Sequence, residues 1–268
     1  MVYFPPCKIN LGLHVIQKRA DGYHDLETCF YPVPCTDILE IISSDTLKFT
    51  ASGLPISGAE EDNLCIKAYK LLQSAYDIPP VHIHLHKVIP MGAGLGGGSS
   101  DAAYTLRLLN DKYNLGLNKE ALMKYAALLG SDCAFFIQDK PMLGTGRGEV
   151  LEEVNVDLSG RYLVLLKPPI HVSTAEAYQG VKPQKPDVSL RHILAEANPD
   201  SWKSRLVNDF ERSVFARHPA IETLKAMLYN QGAWYASMSG SGSCVFGIFE
   251  KEIDYTYTGL EFLWRGYL

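Results

Sequence analysis

Residues 91–103 read MGAGLGGGSSDAA, five glycines and two serines set between two patterned runs. Before them, VHIHLHKVIP at 81–90 alternates Val81, Ile83 and Leu85 with His82, His84 and His86, the period of a strand with one buried face. After them, Ala102, Leu106, Leu109 and Tyr113 recur at helical spacing, with Ser99, Ser100 and Asp101 available as cap and first-turn residues. The glycines therefore sit at the N-terminus of a helix.

Two standard readings of such a loop fail on context. Gly92-x-Gly94-x-x-Gly97 satisfies the dinucleotide pattern by letter, but that pattern needs an acidic residue about 20 positions on at the end of a following strand, and Asp111 lies inside the expected helix. A Walker A loop needs lysine where Gly98 stands. What remains is physical. Glycines let backbone approach a ligand closely, successive N–H groups point inward, and the helix end adds partial positive charge, so phosphate is the natural guest. Ser99 and Ser100 offer hydroxyls to phosphate or to a magnesium ion.

The rest of the chain favours a small-molecule partner. Its 268 residues, 47% hydrophobic, suffice for one large or two smaller domains, and a formal charge of −5 without a dense Lys/Arg block argues against nucleic acid or an anionic membrane. The start, MVYFPPCKIN, lacks a basic leader, and the longest apolar runs, such as YLVLL at 162–166, are too short to cross a bilayer. A soluble cytoplasmic protein is expected. Six cysteines without a CxxC pair read as free thiols.

Helices are expected from Asp62, from Asn118 to Gly130 and from Pro219 to Gly232; strands at about 9–16, 37–50, 162–167 and 243–249; and a loop at 182–189. Without regular strand–helix alternation, the class is α+β with largely antiparallel sheets. His82, His84 and His86 read as an exposed strand face rather than a zinc site, and Glu60, Glu61 and Asp62 as a solvated helix start; no metal-ligating set is assigned.

IPMGAGLGGGSSDAA at 89–103 resembles the phosphate loop of the GHMP kinase superfamily, which binds ATP without a Walker A motif. PPCKINLGLHV at 5–15 and SMSGSGSCVFGIF at 237–249 are similar to its lysine-bearing N-terminal segment and its late glycine loop. Further stretches, RADGYHDLET at 19–28, EDNLCIKAY at 61–69, GSDCAFF at 130–136 and GRGEVLEEV at 146–154, resemble the members that act on a cytidyl-linked alcohol. The resemblance implies a two-domain fold, 1–155 and 156–268, with an inter-domain active-site cleft. It implies transfer of the ATP γ-phosphate, with Mg2+, to the 2-hydroxyl of 4-diphosphocytidyl-2-C-methyl-D-erythritol, a step of non-mevalonate isoprenoid precursor synthesis.

By the same resemblance, Asp132 is the general base and Lys8 its cationic partner. The nucleotide falls to Asn63, Pro90, Gly92, Gly94, Leu95, Gly96, Gly97, Gly98, Ser99 and Ser100, and the substrate to Asn10, Tyr23, His24, Phe30 and Tyr178. Asn63 reads equally as a helix cap. GSDCAFF has Cys133-Ala134 where the family usually has Val-Pro, and Cys133 becomes a candidate target of thiol reagents. The competing readings are a homoserine- or mevalonate-type kinase, disfavoured by DGYH with Phe30 and Tyr178, and an idle nucleotide-binding homologue, disfavoured by Lys8 with Asp132.

Overall fold

The structure, a computed structural model, describes residues 1–196, 198–254 and 256–268. In chain order the first half holds β1 (Val2–Tyr3), β2 (Pro6–Lys18), β3 (His24–Thr36), β4 (Ile38–Ser43), β5 (Lys48–Gly53), α1 (Leu64–Gln73), β6 (Val81–Lys87), α2 (Gly97–Lys112), α3 (Lys119–Leu129) and α4 (Phe135–Gln138). The second half holds β7 (Met142–Gly146), β8 (Val150–Glu153), β9 (Tyr162–Lys167), α5 (Thr174–Gln179), α6 (Leu190–Glu196), α7 (Pro199–Arg205), α8 (Glu211–Arg217), α9 (Pro219–Asn230), β10 (Tyr235–Met238), β11 (Val245–Phe249) and β12 (Phe262–Tyr267). Two compact units result, each gathered from separated stretches. Met1–Cys7, Cys35–Met91 and Gly96–Lys140 form one; Lys8–Pro34, Gly92–Leu95 and Pro141–Leu268 form the other.

The first unit is built on a sheet in the order β1-β4-β6-β5, antiparallel between β4 and β6 and parallel between β5 and β6. Val81, Ile83 and Leu85 are buried as their period requires, and α1 and α2 pack together with Ala102, Leu106 and Leu109 inside. Fully burying a leucine side chain contributes about 1.5–3 kcal/mol, so this apolar stripe outweighs the weak helix propensity of the glycines at the start of α2. On the opposite face of β6 the histidines find hydroxyl partners: Thr50 Oγ1 lies 2.8 Å from both His82 Nε2 and His84 Nδ1, and Ser52 Oγ lies 2.9 Å from His86 Nδ1.

The second unit contains two four-stranded sheets, β2-β3-β7-β8 and β10-β11-β9-β12. Strands β9 and β11 are buried along their whole length, whereas β12, at an edge, alternates partly buried and exposed positions. Leu13 and Val15 of β2 share a core with Val164, Leu166, Phe210 and Val245. Residues 207–209 line up beside β2, with Leu13 N donating to Val207 O at 2.9 Å and Asp209 N to Leu13 O at 2.9 Å.

Two expectations are corrected. The strand expected over 37–50 is two, β4 and β5, separated by 44–47, where Ser44, Asp45 and Thr46 carry side chains that favour turns. Helix α2 is capped by Gly96, at φ 72°, so of the cap and first-turn places expected for Ser99 and Ser100 they take the first turn and not the cap. One long strand was also not expected: 24–36 is β3 despite Pro32 and Pro34, which occupy its less buried face near the end. Among the described residues no helix is long and apolar enough to cross a membrane.

Candidate active site

Within the first unit, Gly96, Gly97 and Gly98 open α2, each under a different constraint. Gly96 adopts a left-handed φ that a side chain resists. A Cβ on Gly97 would meet Ile89 Cγ2 at 2.9 Å and Lys87 Nζ at 3.0 Å, so this glycine permits close packing of helix on strand. A Cβ on Gly98 would meet nothing within 4 Å; this glycine lines a cavity of about 560 Å3 together with Asn63, Cys65, Lys87 and Asp101. The open side of the helix start is thus at Gly98. Ser99 is half-buried, Pro90 is buried, and the Ser100 hydroxyl is fully buried without a hydrogen-bond partner among the described residues. An orphaned hydroxyl behind a helix N-terminus suits a phosphate oxygen or a phosphate-bound magnesium ion, so the residues present fit both groups.

Asn63 caps α1, its Oδ1 accepting from Cys65 N at 2.9 Å, and also lines that cavity; the cap and ligand readings coexist. Asp132 follows the end of α3 at Gly130, is half-buried, and lies 3.4 Å through Oδ1 from Ser131 Oγ. Cys133 beside it is 0% exposed, and burial pushes its thiol up to about 12. A thiol both covered and protonated is a poor nucleophile, which overturns the expectation of reagent sensitivity at this position.

Within the second unit, Lys8 and Asn10 project from the same face of β2, two residues apart. Lys8 is 3% exposed; its Nζ donates to Asn10 Oδ1 at 2.6 Å and to the Gly94 carbonyl at 2.8 Å, and its backbone N–H donates to Leu95 O at 3.0 Å. Asn10 Nδ2 in turn donates to Thr28 Oγ1 at 2.9 Å, and Thr28 Oγ1 donates to Gly12 O at 2.6 Å. A buried ammonium is tolerated only when its donors are used, and here a loop carbonyl and a side-chain amide take two of them. Gly94, at φ 77°, cannot be otherwise: an added Cβ would stand 1.9 Å from Ser239 O. At Gly92, a Cβ would meet the His171 ring at 3.0 Å, and Leu95 is buried.

The aromatic residues separate into three settings. His24 stacks on Tyr178 with centroids 4.6 Å apart and planes at 20°, and Tyr178 meets Phe210 edge-on at 4.8 Å. Burial, then the charge of Lys18, pulls the His24 imidazole below its ordinary range, favouring the neutral ring that can both donate and accept. Tyr23 is 56% exposed, with the Arg147 guanidinium 5.0 Å over its ring. Phe30 is buried, with Lys8 Nζ 5.5 Å from its centroid and its ring against Gly144.

Sequence reasoning missed four contributors. Thr28 and Ser239 reach the Lys8 group only through folding of distant strands, although Ser239 lies in a recognised glycine loop. Arg147 gave no signal beyond its place in GRGEVLEEV. The last is the buried triad in which the Lys87 ammonium bonds Asp37 and, at 2.7 Å, Asp101, while Asp37 Oδ1 accepts from Val88 N and Ile89 N. It ties the end of β6, from which the glycine loop departs, to Asp37 and to Asp101 of α2.

Comparison with known proteins matches this arrangement. The GHMP kinases N terminal domain matches residues 63–140, which contain Asn63, the start of α2 and Asp132, and the GHMP kinases C terminal domain matches 188–254, which contain the second glycine loop. A 4-diphosphocytidyl-2-C-methyl-D-erythritol kinase from Parabacteroides distasonis is 51% identical over 271 residues, covering 100% of both chains. One from Cytophaga hutchinsonii is 54% identical over 254 residues, covering 94% of this chain and 93% of its own. A crystal structure of 4-(cytidine 5'-diphospho)-2C-methyl-D-erythritol kinase superposes with a TM-score of 0.81 at 33% identity, covering 94% of this chain and 91% of that one. With both family halves matched and relatives this similar along the whole length, the chain belongs to the GHMP kinase family, in its 4-diphosphocytidyl-2-C-methyl-D-erythritol kinase group.

Proposed function

We propose that this protein transfers the γ-phosphoryl group of ATP to the 2-hydroxyl of 4-diphosphocytidyl-2-C-methyl-D-erythritol, in the cytoplasm, as a step of non-mevalonate isoprenoid precursor synthesis. One observation carries the phosphoryl-transfer reading: the Lys8 ammonium is buried and bonded to a carbonyl of the glycine loop itself. A binding protein needs no buried cation fixed to its phosphate loop. The substrate reading is supported by the names of relatives about half identical to this chain, and by DGYH, whose His24 is held beside Tyr178 with ring centroids 4.6 Å apart.

Each residue then has a chemical task. The N–H groups at the start of α2, with the Ser99 and Ser100 hydroxyls, hold the ATP phosphates, and Gly98 leaves the space they need. The Ser99 and Ser100 hydroxyls would also hold a magnesium ion bound with the nucleotide, which would supply positive charge to the transferring group. Asp132 accepts the proton of the 2-hydroxyl as that oxygen forms its bond to phosphorus and the bond to ADP breaks. Lys8 supplies fixed positive charge where negative charge develops, and Asn10, buried with its Oδ1 on Lys8 and its Nδ2 on Thr28, holds Lys8 in place rather than facing substrate. His24, neutral, reads the edge of the cytosine, and Tyr23 and Tyr178 offer faces for stacking, whereas Phe30, expected beside the base, is buried with its ring centroid 5.5 Å from Lys8 Nζ. The spans matched by the two family models leave 141–187 between them, and we draw the boundary between the family halves at 155/156.

The test is ADP release from ATP and magnesium with the cytidyl substrate, homoserine or mevalonate supplied separately, alongside Asp132→Ala. Turnover with the cytidyl substrate alone, reduced about 10²-fold or more in the variant as for loss of a general base, is the expected result. Turnover with another alcohol would overturn the roles given to Tyr23, His24 and Tyr178, and ATP binding without turnover would overturn the kinase reading.

A further inference from the structure

Residues 207–211, VNDFE, match no motif singled out from the sequence, yet their side chains hold the backbone of the second glycine loop. Asn208 is 3% exposed; its Nδ2 donates to the Met238 carbonyl at 2.7 Å and to the Gly240 carbonyl at 2.8 Å, one on each side of Ser239, and its Oδ1 accepts from Phe210 N at 3.0 Å. Glu211 Oε1 accepts from Met238 N at 2.8 Å and from Ser237 Oγ at 3.0 Å, while Lys225 donates to its other oxygen at 2.6 Å. Both backbone groups of Met238 are therefore bonded to this short segment. Between the two held carbonyls, the Ser239 hydroxyl donates to Gly94 O at 2.8 Å, the same carbonyl that accepts from Lys8 Nζ at 2.8 Å.

We infer that Asn208 is a positioning residue for Lys8: by fixing the carbonyls that flank Ser239 it seats the Ser239 hydroxyl on Gly94, and so sets the carbonyl to which the Lys8 ammonium is tied. The inference rests on the phosphoryl-transfer reading of Lys8. An amide suits the task because one nitrogen donates twice to carbonyls while the oxygen accepts from the chain behind it. Alanine leaves two buried carbonyls without their donor, and aspartate turns an acceptor oxygen toward both. The two loops also lie side by side at Gly240, where an added Cβ would stand 3.3 Å from Gly94 O.

The experiment has two readouts on the full-length protein. In protein carrying ¹⁵Nζ-lysine, with the Lys8 ammonium signal assigned from Lys8→Arg, Asn208→Ala and Asn208→Asp are expected to shift or broaden that signal while those of the buried Lys87 and Lys167 stay in place. In steady-state assays Asn208→Ala is expected to lower kcat about tenfold to 10²-fold with a much smaller change in the KM for ATP, the size expected when a reacting group is displaced by about 1 Å. Ser239→Ala added to Asn208→Ala is expected to lower kcat no further, because the two act along one path. An unchanged Lys8 signal, multiplicative losses in the double variant, or unfolding of both Asn208 variants would overturn the proposal and leave Asn208 a residue of the fold alone. The ammonium signal requires no turnover, so a wild-type protein that phosphorylates none of the alcohols would sink the kinase reading while leaving this outcome legible.

Discussion

Lys87 stands between two buried carboxylates, Asp37 and Asp101, so the cluster has one negative charge more than its ammonium can balance. Burial drives the Asp101 carboxyl up, to about 7, against the pull of Lys87; burial lowers the Lys87 ammonium, but its two partners overcome this and leave it raised. The consequence for stability has a definite sign. The usual aspartate value is 3.8, so between about pH 4 and about 7 the folded protein keeps a proton on Asp101 that the unfolded chain has lost. Stability from this group is complete below that window and declines as pH rises through it, while Lys87 stays charged. Asp101→Asn keeps an oxygen for Lys87 and removes the surplus charge. The urea midpoint of the variant relative to wild type is therefore expected to improve from pH 5 to pH 8, by on the order of 1 kcal/mol or more in free energy, since a tenfold change in proton affinity is about 1.4 kcal/mol. A difference that does not vary with pH would contradict the upward titration. The triad was not legible in the sequence, because positions 37, 87 and 101 are brought together only by β4, β6 and α2, and each alone is an ordinary charged residue.

At the scale of elements, the glycine loop was legible in kind but not in detail. The alternation at 81–87 and the apolar spacing after 101 identified the strand and the helix, because each element has one face that must be buried. The helix start was misread because serine is a better cap than glycine in general, whereas here a left-handed φ at Gly96 decides the matter. Conversely, β3 was invisible because Pro32 and Pro34 argue against a strand, yet the run from Cys29 to Tyr31 is buried. The three constraints on the loop make an alanine series informative. Gly98→Ala has room and sits in a helix, where alanine is favoured over glycine by about 1 kcal/mol, so its melting temperature is expected to hold or rise. If phosphate occupies that open side, the same methyl raises the KM for ATP about tenfold, the equivalent of losing about 1.4 kcal/mol of binding. Gly94→Ala is expected to do the reverse in kind, destabilising the fold, since its Cβ would stand 1.9 Å from Ser239 O at a φ of +77°. Thermal melts and ATP titrations of both variants check the contrast; an ATP affinity unaffected by Gly98→Ala would remove the phosphates from the site proposed for them.

At the scale of the whole chain, the two units are interleaved along the sequence, a feature no local pattern could reveal. Residues from Lys8 to Pro34 belong with Pro141–Leu268, and β2 supplies Leu13 and Val15, 4% and 0% exposed, to a core otherwise made by later elements. The attachment is also polar: Leu13 exchanges backbone bonds with Val207 and Asp209, and Asp209 Oδ2 accepts from Val15 N at 2.8 Å. Burying each of those apolar side chains contributes about 1.5–3 kcal/mol, a substantial part of the 5–15 kcal/mol that separates a typical folded domain from its unfolded chain. A fragment comprising 156–268 has β9 to β12 and α5 to α9 but lacks the strands that close its core, and it leaves the 207–209 backbone without its partners. Such a fragment is expected to lack cooperative melting and a dispersed amide spectrum when expressed alone, and to gain both when mixed with a fragment comprising 1–155. A cooperative transition in 156–268 alone would show that β2 and β3 are appended to a self-sufficient unit, and would reduce the tie between Leu13 and 207–209 to a consequence of folding rather than a condition for it.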